Sequence, residues 1–206
     1  MKSNKHRVFF HEIGHFVANE INHAHFGVSQ VEKIRLTRHE LGNSTDYIGE
    51  TIYAVPEGED RNKPLQNLPP KLANLIYGCY FQSIYQNTEL EMCFDFSNSS
   101  ANGKVDMDHT IAALTQFQVS AAKRREFYPL IKEQYFKTLL SRKEDFIYVF
   151  KLSPENYFIE INEFVTEVDL ENLRIDLSSF IELHTDIYLS FVSEIMRILD
   201  WDTLNL

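Results

Sequence analysis

Hydrophobic positions recur at the spacing of a helix face from the start of the chain. Val8, Phe9, Ile13, Phe16, Val17 and Ile21 share one stripe, widened by Phe10 and Ala18. That period predicts an amphipathic helix from about Asn4 to Asn22, ending near residues 23–27. The pattern then switches to a period of two. Val31 to Thr37 (Val-Glu-Lys-Ile-Arg-Leu-Thr) reads as a half-buried strand. Arg38 to Asp46 reads as a polar turn around Gly42 and Asn43, and Tyr47 to Val55 as a second strand closed by Pro56 and an acidic loop to Asp60. Together the two strands predict an antiparallel pair.

Pro69-Pro70 opens a second predicted helix to about Gln86, with Leu72, Leu75, Ile76, Cys79 and Ile84 facing inward. Glu89 to Val105 is loop-like and ends in a polar cluster from Ser97 to Gly103. A third helix is expected from Asp106, with Met107, Ile111, Leu114, Phe117 and Ala121 on one stripe. From Phe127 onward the pattern is nearly all helical. One segment covers Pro129 to Phe150 and another opens at Ser153-Pro154-Glu155, with Ser as cap and Pro in the first turn. The last runs from Ser178 to Trp201 on Ile187, Phe191, Ile195 and Leu199. The expected fold is mainly α with a small antiparallel β-sheet (α+β). It forms a single domain over 1–206, with a core over 1–120 and a helical C-terminal part over 121–206. Bundle packing or self-association, as in a homo-oligomer, is the expected work of that tail.

Composition narrows the partners. Hydrophobic residues make up 44% and charged residues 24%, ordinary values for a globular protein with a real core. The formal net charge of -10 argues against nucleic acid or an anionic membrane as partner. No apolar run approaches the ~20 residues of a membrane span, and no signal-peptide pattern precedes the first helix. Cys79 and Cys93 give neither a disulfide framework nor a metal-binding spacing, so a cytoplasmic location is expected.

The first helix carries the chemistry. His11-Glu12-Ile13-Gly14-His15 is an H-E-x-x-H run. On a helix, residues four apart lie on one face, so both imidazoles can reach one ion. Glu12 follows about 100° around the axis, where its carboxylate can work on a water held by that ion. Three fixed positions match by chance in on the order of 1% of chains this long. The apolar flank sharpens the reading, because charged groups within such a helix are costly unless paired or bound to metal. A zinc hydrolase, most simply a peptidase with Glu12 as its base, is the expectation.

A catalytic zinc takes three protein ligands and leaves its fourth position to water. Ala18 stands where the extended motif with a third His needs Gly. His23 lies about 12 Å along a continuing helix from His15, so it and His25 read as a polar helix end. Glu89 and Glu91 are candidates outside any strongly helical stretch. Asp106 follows the glycine-containing loop and opens an amphipathic helix, so it could be a ligand or an N-cap; Asp108 and His109 lie close enough to confuse the register. The remaining histidines, His6, His39 and His184, read with His109 as surface or helix-end residues without a role.

The order of these segments resembles one family. Arg7 to His15 (Arg-Val-Phe-Phe-His-Glu-Ile-Gly-His) resembles the zinc-site helix of FtsH-type proteases. Val31-Glu-Lys-Ile-Arg-Leu-Thr-Arg with Tyr47-Ile-Gly-Glu-Thr resembles the strand pair that follows there. Leu75-Ile-Tyr-Gly-Cys-Tyr-Phe-Gln resembles the next helix, with its Gly-Gly-Arg-Ala-Ala-Glu signature, and Gly103 to Ala113 the loop and helix in which an Asp supplies the third ligand. The resemblance covers roughly residues 5 to 120. It implies a zincin-like FtsH peptidase-domain helical fold, one zinc ion per chain, hydrolysis of a peptide or protein substrate, and ligands at His11, His15 and Asp106. At the helix signature Gly78 survives, while Gln82 stands where the family has an acidic residue. The family's ATP-driven module and membrane anchor have no counterpart in these residues, so a free-standing, ATP-independent relative is expected. The rivals are a catalytically inactive zinc-binding interaction module and a zinc hydrolase of some non-peptide amide.

Overall fold

Two glycines set how closely the first two helices approach. The computed structural model describes residues 4–41, 44–54, 68–94 and 103–201, apart from the side chains of Leu41 and Ser44. In it α1 (Asn4–Phe26) and α2 (Leu68–Gln86) cross at Gly14 and Gly78. A Cβ on Gly14 would lie 2.4 Å from the Tyr77 carbonyl oxygen, so only a residue without one permits this approach. The predicted inward residues of α1 are buried, from Val8 and Phe9 to Val17 and Ile21. The helix runs beyond the expected end at Asn22 to Phe26, and Gly27, at a left-handed φ of 65°, closes it.

β1 (Val31–Leu41) and β2 (Ser44–Tyr53) form the expected antiparallel pair. Both strands extend into the stretch read as a polar turn, with Arg38 opposite Tyr47 and His39 opposite Asp46. Polar side chains there face solvent while the backbone stays paired, which composition alone reads as a turn. Gly42, Asn43 and the segment from Val55 through Pro56 to Asp60 lie outside the described residues, as do Ser97 to Asn102.

The C-terminal part departs furthest from the sequence reading. α3 (Lys104–Gln116) begins two residues before Asp106, and its expected stripe is incomplete: Met107 and Leu114 are buried, but Ile111 is 39% exposed. Thr110 and Ala113 take the inner face instead. The segment from Pro129 to Phe150 is broken into α4 (Ala121–Gln134), a π-helical turn at Tyr135–Leu140, and α5 (Lys143–Phe150). Ser153-Pro154 opens only a single 3-10 turn, Pro154–Tyr157. Two short strands follow, β3 (Phe158–Glu160) and β4 (Val165–Val168), where helix was expected. Windows this short cannot separate a period of 2 from one of 3.6. β4 pairs antiparallel with both β1 and β3, giving the order β2-β1-β4-β3. The C-terminal part therefore completes the sheet that the N-terminal part begins, and β2 is an outer strand.

α6 (Leu170–Leu199) starts well before the expected Ser178. Leu173, Leu177, Phe180, His184, Tyr188, Phe191, Ile195 and Leu199 form its buried stripe, and Asp169 caps it by accepting the Asn172 N–H. Arg174 ties it to α1 through Glu20 and to β1 through the Val31 carbonyl. The chain is thus mainly helical with a small antiparallel sheet, and its aromatic core draws Phe9 and Phe16 from α1, Tyr77 and Phe81 from α2, Phe146 from α5 and Phe191 from α6. No described helix is long and apolar enough to cross a membrane.

Candidate metal centre

One turn of α1 brings two imidazoles together. His11 Nε2 and His15 Nε2 are 3.1 Å apart. Asp106, in the first turn of α3, sets Oδ2 2.9 Å from His11 Nε2 and 3.5 Å from His15 Nε2. Four donors bound tetrahedrally at about 2.0–2.1 Å stand about 3.3–3.4 Å from one another. The observed triangle has edges close to that value, made by two imidazole nitrogens and a carboxylate oxygen.

Gly78 leaves the space an ion would need. A Cβ there would lie 2.5 Å from His15 Nε2 and 3.0 Å from His11 Nε2. The residues fit a small divalent cation in both donor chemistry and room. The other sequence candidates lie elsewhere. Asp108 accepts from Lys104 on the exposed side, Glu89 is exposed, Glu91 pairs with Lys132, and His23 turns to the Val28 carbonyl.

Asn74 of α2 orients His15. Its carbonyl accepts the Nδ1 hydrogen at 2.9 Å, and its side-chain amide donates to the His15 carbonyl at 2.9 Å. With Nδ1 fixed as the donor to Asn74, Nε2 is the nitrogen turned toward Asp106 and the space beside it. His11 Nδ1 is buried without a partner among the described residues. Burial opposes charge on His15, but the Asp106 carboxylate outweighs it and lifts the imidazole to about 9. Asp106 is buried too, yet the facing imidazoles hold its carboxyl well below the usual carboxylate range.

Glu12 is buried on the adjoining face of α1, and β2 receives it. Thr51 Oγ1 donates to Glu12 Oε2 at 2.7 Å. Two residues earlier, a Cβ on Gly49 would meet Glu12 Oε1 at 2.2 Å, so the strand must be bare there. Two residues later, the Tyr53 hydroxyl donates to Asn74 Oδ1 at 3.3 Å. Desolvation, then the Glu12 and Asp106 carboxylates, push this phenol above its ordinary value, so it stays a donor.

Sequence reasoning missed Gly49, Thr51, Tyr53 and Asn74 as parts of the site and named Gly78 only as the surviving residue of a helix signature. The one available signal was the alternation of small and hydroxyl residues along β2. His184 also departs from the reading of a surface residue: it is 1% exposed, stacks on Phe180 and meets the Tyr77 hydroxyl at 3.4 Å.

No family model matches the chain, and no curated protein or solved structure matches it either. The site is therefore interpreted from its own geometry.

Proposed function

We propose that the chain is a zinc-dependent metallopeptidase of the FtsH type that cleaves peptide bonds with one ion held by His11, His15 and Asp106. The observation that supports this reading is the triangle of His11 Nε2, His15 Nε2 and Asp106 Oδ2 around the space that Gly78 leaves open. When bound, zinc supplies a Lewis acid that lowers the pKa of a coordinated water from about 16 toward about 7.

The chain's own residues do the rest. Glu12 takes the proton of the attacking water on its carboxylate and passes it to the leaving amine. Thr51 holds Glu12 in one rotamer by donating to Oε2, leaving Oε1 beside Gly49 for the proton. Tyr53 donates its one hydroxyl hydrogen to Asn74 Oδ1 and so steadies the residue that orients His15. The outer backbone edge of β2 has no strand partner among the described residues, so an extended peptide can pair there. A peptide or protein is the substrate class, and the two free thiols suit the cytoplasm.

The test is metal analysis of the purified protein with cleavage of casein and mixed peptides, for wild type and Glu12→Gln. The variant is expected to keep its zinc and lose cleavage by about 10²- to 10⁴-fold. Equal cleavage by both proteins would overturn the role of Glu12. Zinc held stoichiometrically without cleavage of any peptide by wild type would favour an inactive zinc-binding module.

A further inference from the structure

We propose that Cys79 is a positioning residue for the third ligand: its thiol holds the Asp106 carboxylate, and with it the first turn of α3, against the two histidines. The inference rests on the metal reading above and extends it to a residue outside the zinc motif.

Cys79 follows Gly78 on α2 and is fully buried. Its thiol donates to Asp106 Oδ2 at 3.8 Å, the same oxygen that faces both imidazole nitrogens. The donor atoms of His11, Cys79 and Asp106 lie within 4.8 Å of one another. The sulfur also meets the residue that leads into α3. A Cβ on Gly103 would lie 2.3 Å from Cys79 Sγ and 2.5 Å from the Cys93 carbonyl oxygen. The Gly103 N–H donates to that carbonyl at 2.8 Å, which fixes the start of the helix beside the thiol. One side chain thus touches both the entry to α3 and the carboxylate three residues on.

Its importance rises when an ion is bound. Both imidazoles face Asp106 through Nε2. Once those nitrogens give their lone pairs to a cation, they no longer donate to the carboxylate. Cys79 is then the remaining side-chain donor to Asp106 among the described residues. A donor on a ligating carboxylate fixes its rotamer and the number of oxygens it offers. A thiol is a weak donor, so it steers the oxygen while leaving most of its charge for the metal.

The test uses cobalt(II) chloride on the full chain, read by visible absorption and by competition with a chelator. Cys79→Ala is expected to lower cobalt affinity by about 10- to 100-fold and to weaken the ligand-field bands as the freed carboxylate turns bidentate. Cys79→Ser, whose hydroxyl can donate to the same oxygen, is expected to keep affinity within about threefold of wild type and to restore its spectrum. Cys79→Ala with the wild-type affinity and spectrum would overturn the proposal. So would loss of melting temperature in both variants with no change in the bands, which is what packing alone predicts. A thiolate-to-cobalt charge-transfer band in the wild type, absent from Cys79→Ser, would make Cys79 a ligand and overturn it without needing Cys79→Ala to fold. Wild type that binds no cobalt would overturn the metal reading itself.

Discussion

Replacing Gly78 with alanine tests the centre through its empty space. An ideal Cβ at this position lies 2.5 Å from His15 Nε2, 2.6 Å from His15 Cε1 and 3.0 Å from His11 Nε2. Comfortable contact needs about 3.5 Å, so the His15 ring has to retreat by about 1 Å. A metal–ligand bond tolerates about 0.2 Å. Moving α2 away instead would open the helix contact that Gly14 closes against the Tyr77 carbonyl. Outer-shell changes cost about 10- to 100-fold in metal affinity, and displacing a ligand puts Gly78→Ala at the top of that range or above it. The fold suffers less. Overpacking costs about 1–3 kcal/mol and the gain in helix propensity offsets about 1 kcal/mol, a net loss of about 0–2 kcal/mol. Zinc at a hundred times the wild-type Kd then stabilises wild type by about 2.7 kcal/mol, and a variant bound a hundredfold more weakly by about 0.4 kcal/mol. Chelator competition gives the affinities, and melting curves with and without zinc give the stabilities. A Gly78→Ala protein that folds and holds zinc as tightly as wild type would refute the geometry.

Two further outcomes follow from contacts around the site and in the core. Thr51→Val removes the hydroxyl that donates to Glu12 while keeping its shape. Loss of a hydrogen bond to a charged group, about 1.5–3 kcal/mol, is expected to lower kcat by about 10- to 100-fold with zinc content unchanged by metal analysis. His184 is held down to about 4, chiefly by burial. The unfolded chain, titrating near 6.5, then binds more protons between those values, so stability falls as pH drops from about 6.5 to about 4, by about 3 kcal/mol in all. Denaturant melts across that window are expected to show this slope in wild type and its loss in His184→Phe; parallel slopes would count against it.

What the sequence reveals about this protein depends on how local each feature is. The stripe of α1 and the period-four run late in α6 are properties of one segment, and both are helices in the structure. The pair β1–β2 shows as alternation, though its ends do not, because a paired residue facing solvent looks like a loop residue. β3 and β4 are hidden, since three or four residues carry too little pattern and the strand that receives β4, β1, lies more than a hundred residues away. The site divides the same way. His11, Glu12 and His15 sit within five residues and are readable as a motif. Asp106 as ligand and Asp106 as helix cap look alike until α3 docks on α2. Gly49 and Gly78 carry no chemistry, and their meaning is the side chain that another element inserts beside them.

The electrostatics of the centre argue that it is built to hold positive charge. Asp106 is a carboxylate 8% exposed, and a buried anion is costly unless it is paired. The facing His15 imidazole pairs it, and the Asp106 carboxylate lifts that imidazole to about 9 against the pull of burial. A divalent ion satisfies Asp106 from the same place with twice the charge, and it meets the lone pairs of both imidazoles at once. On the proposed metal reading, proton and metal compete for one position bounded by α1, α2 and α3. Glu12, whose carboxylate lies within 4.8 Å of the donor nitrogens of His11 and His15, is held on the adjoining face of α1 by Thr51 beside bare Gly49. On the proposed reading, a hydrolytic centre uses such a neighbouring carboxylate for the proton of the water, whereas a purely structural ion would need its ligands alone.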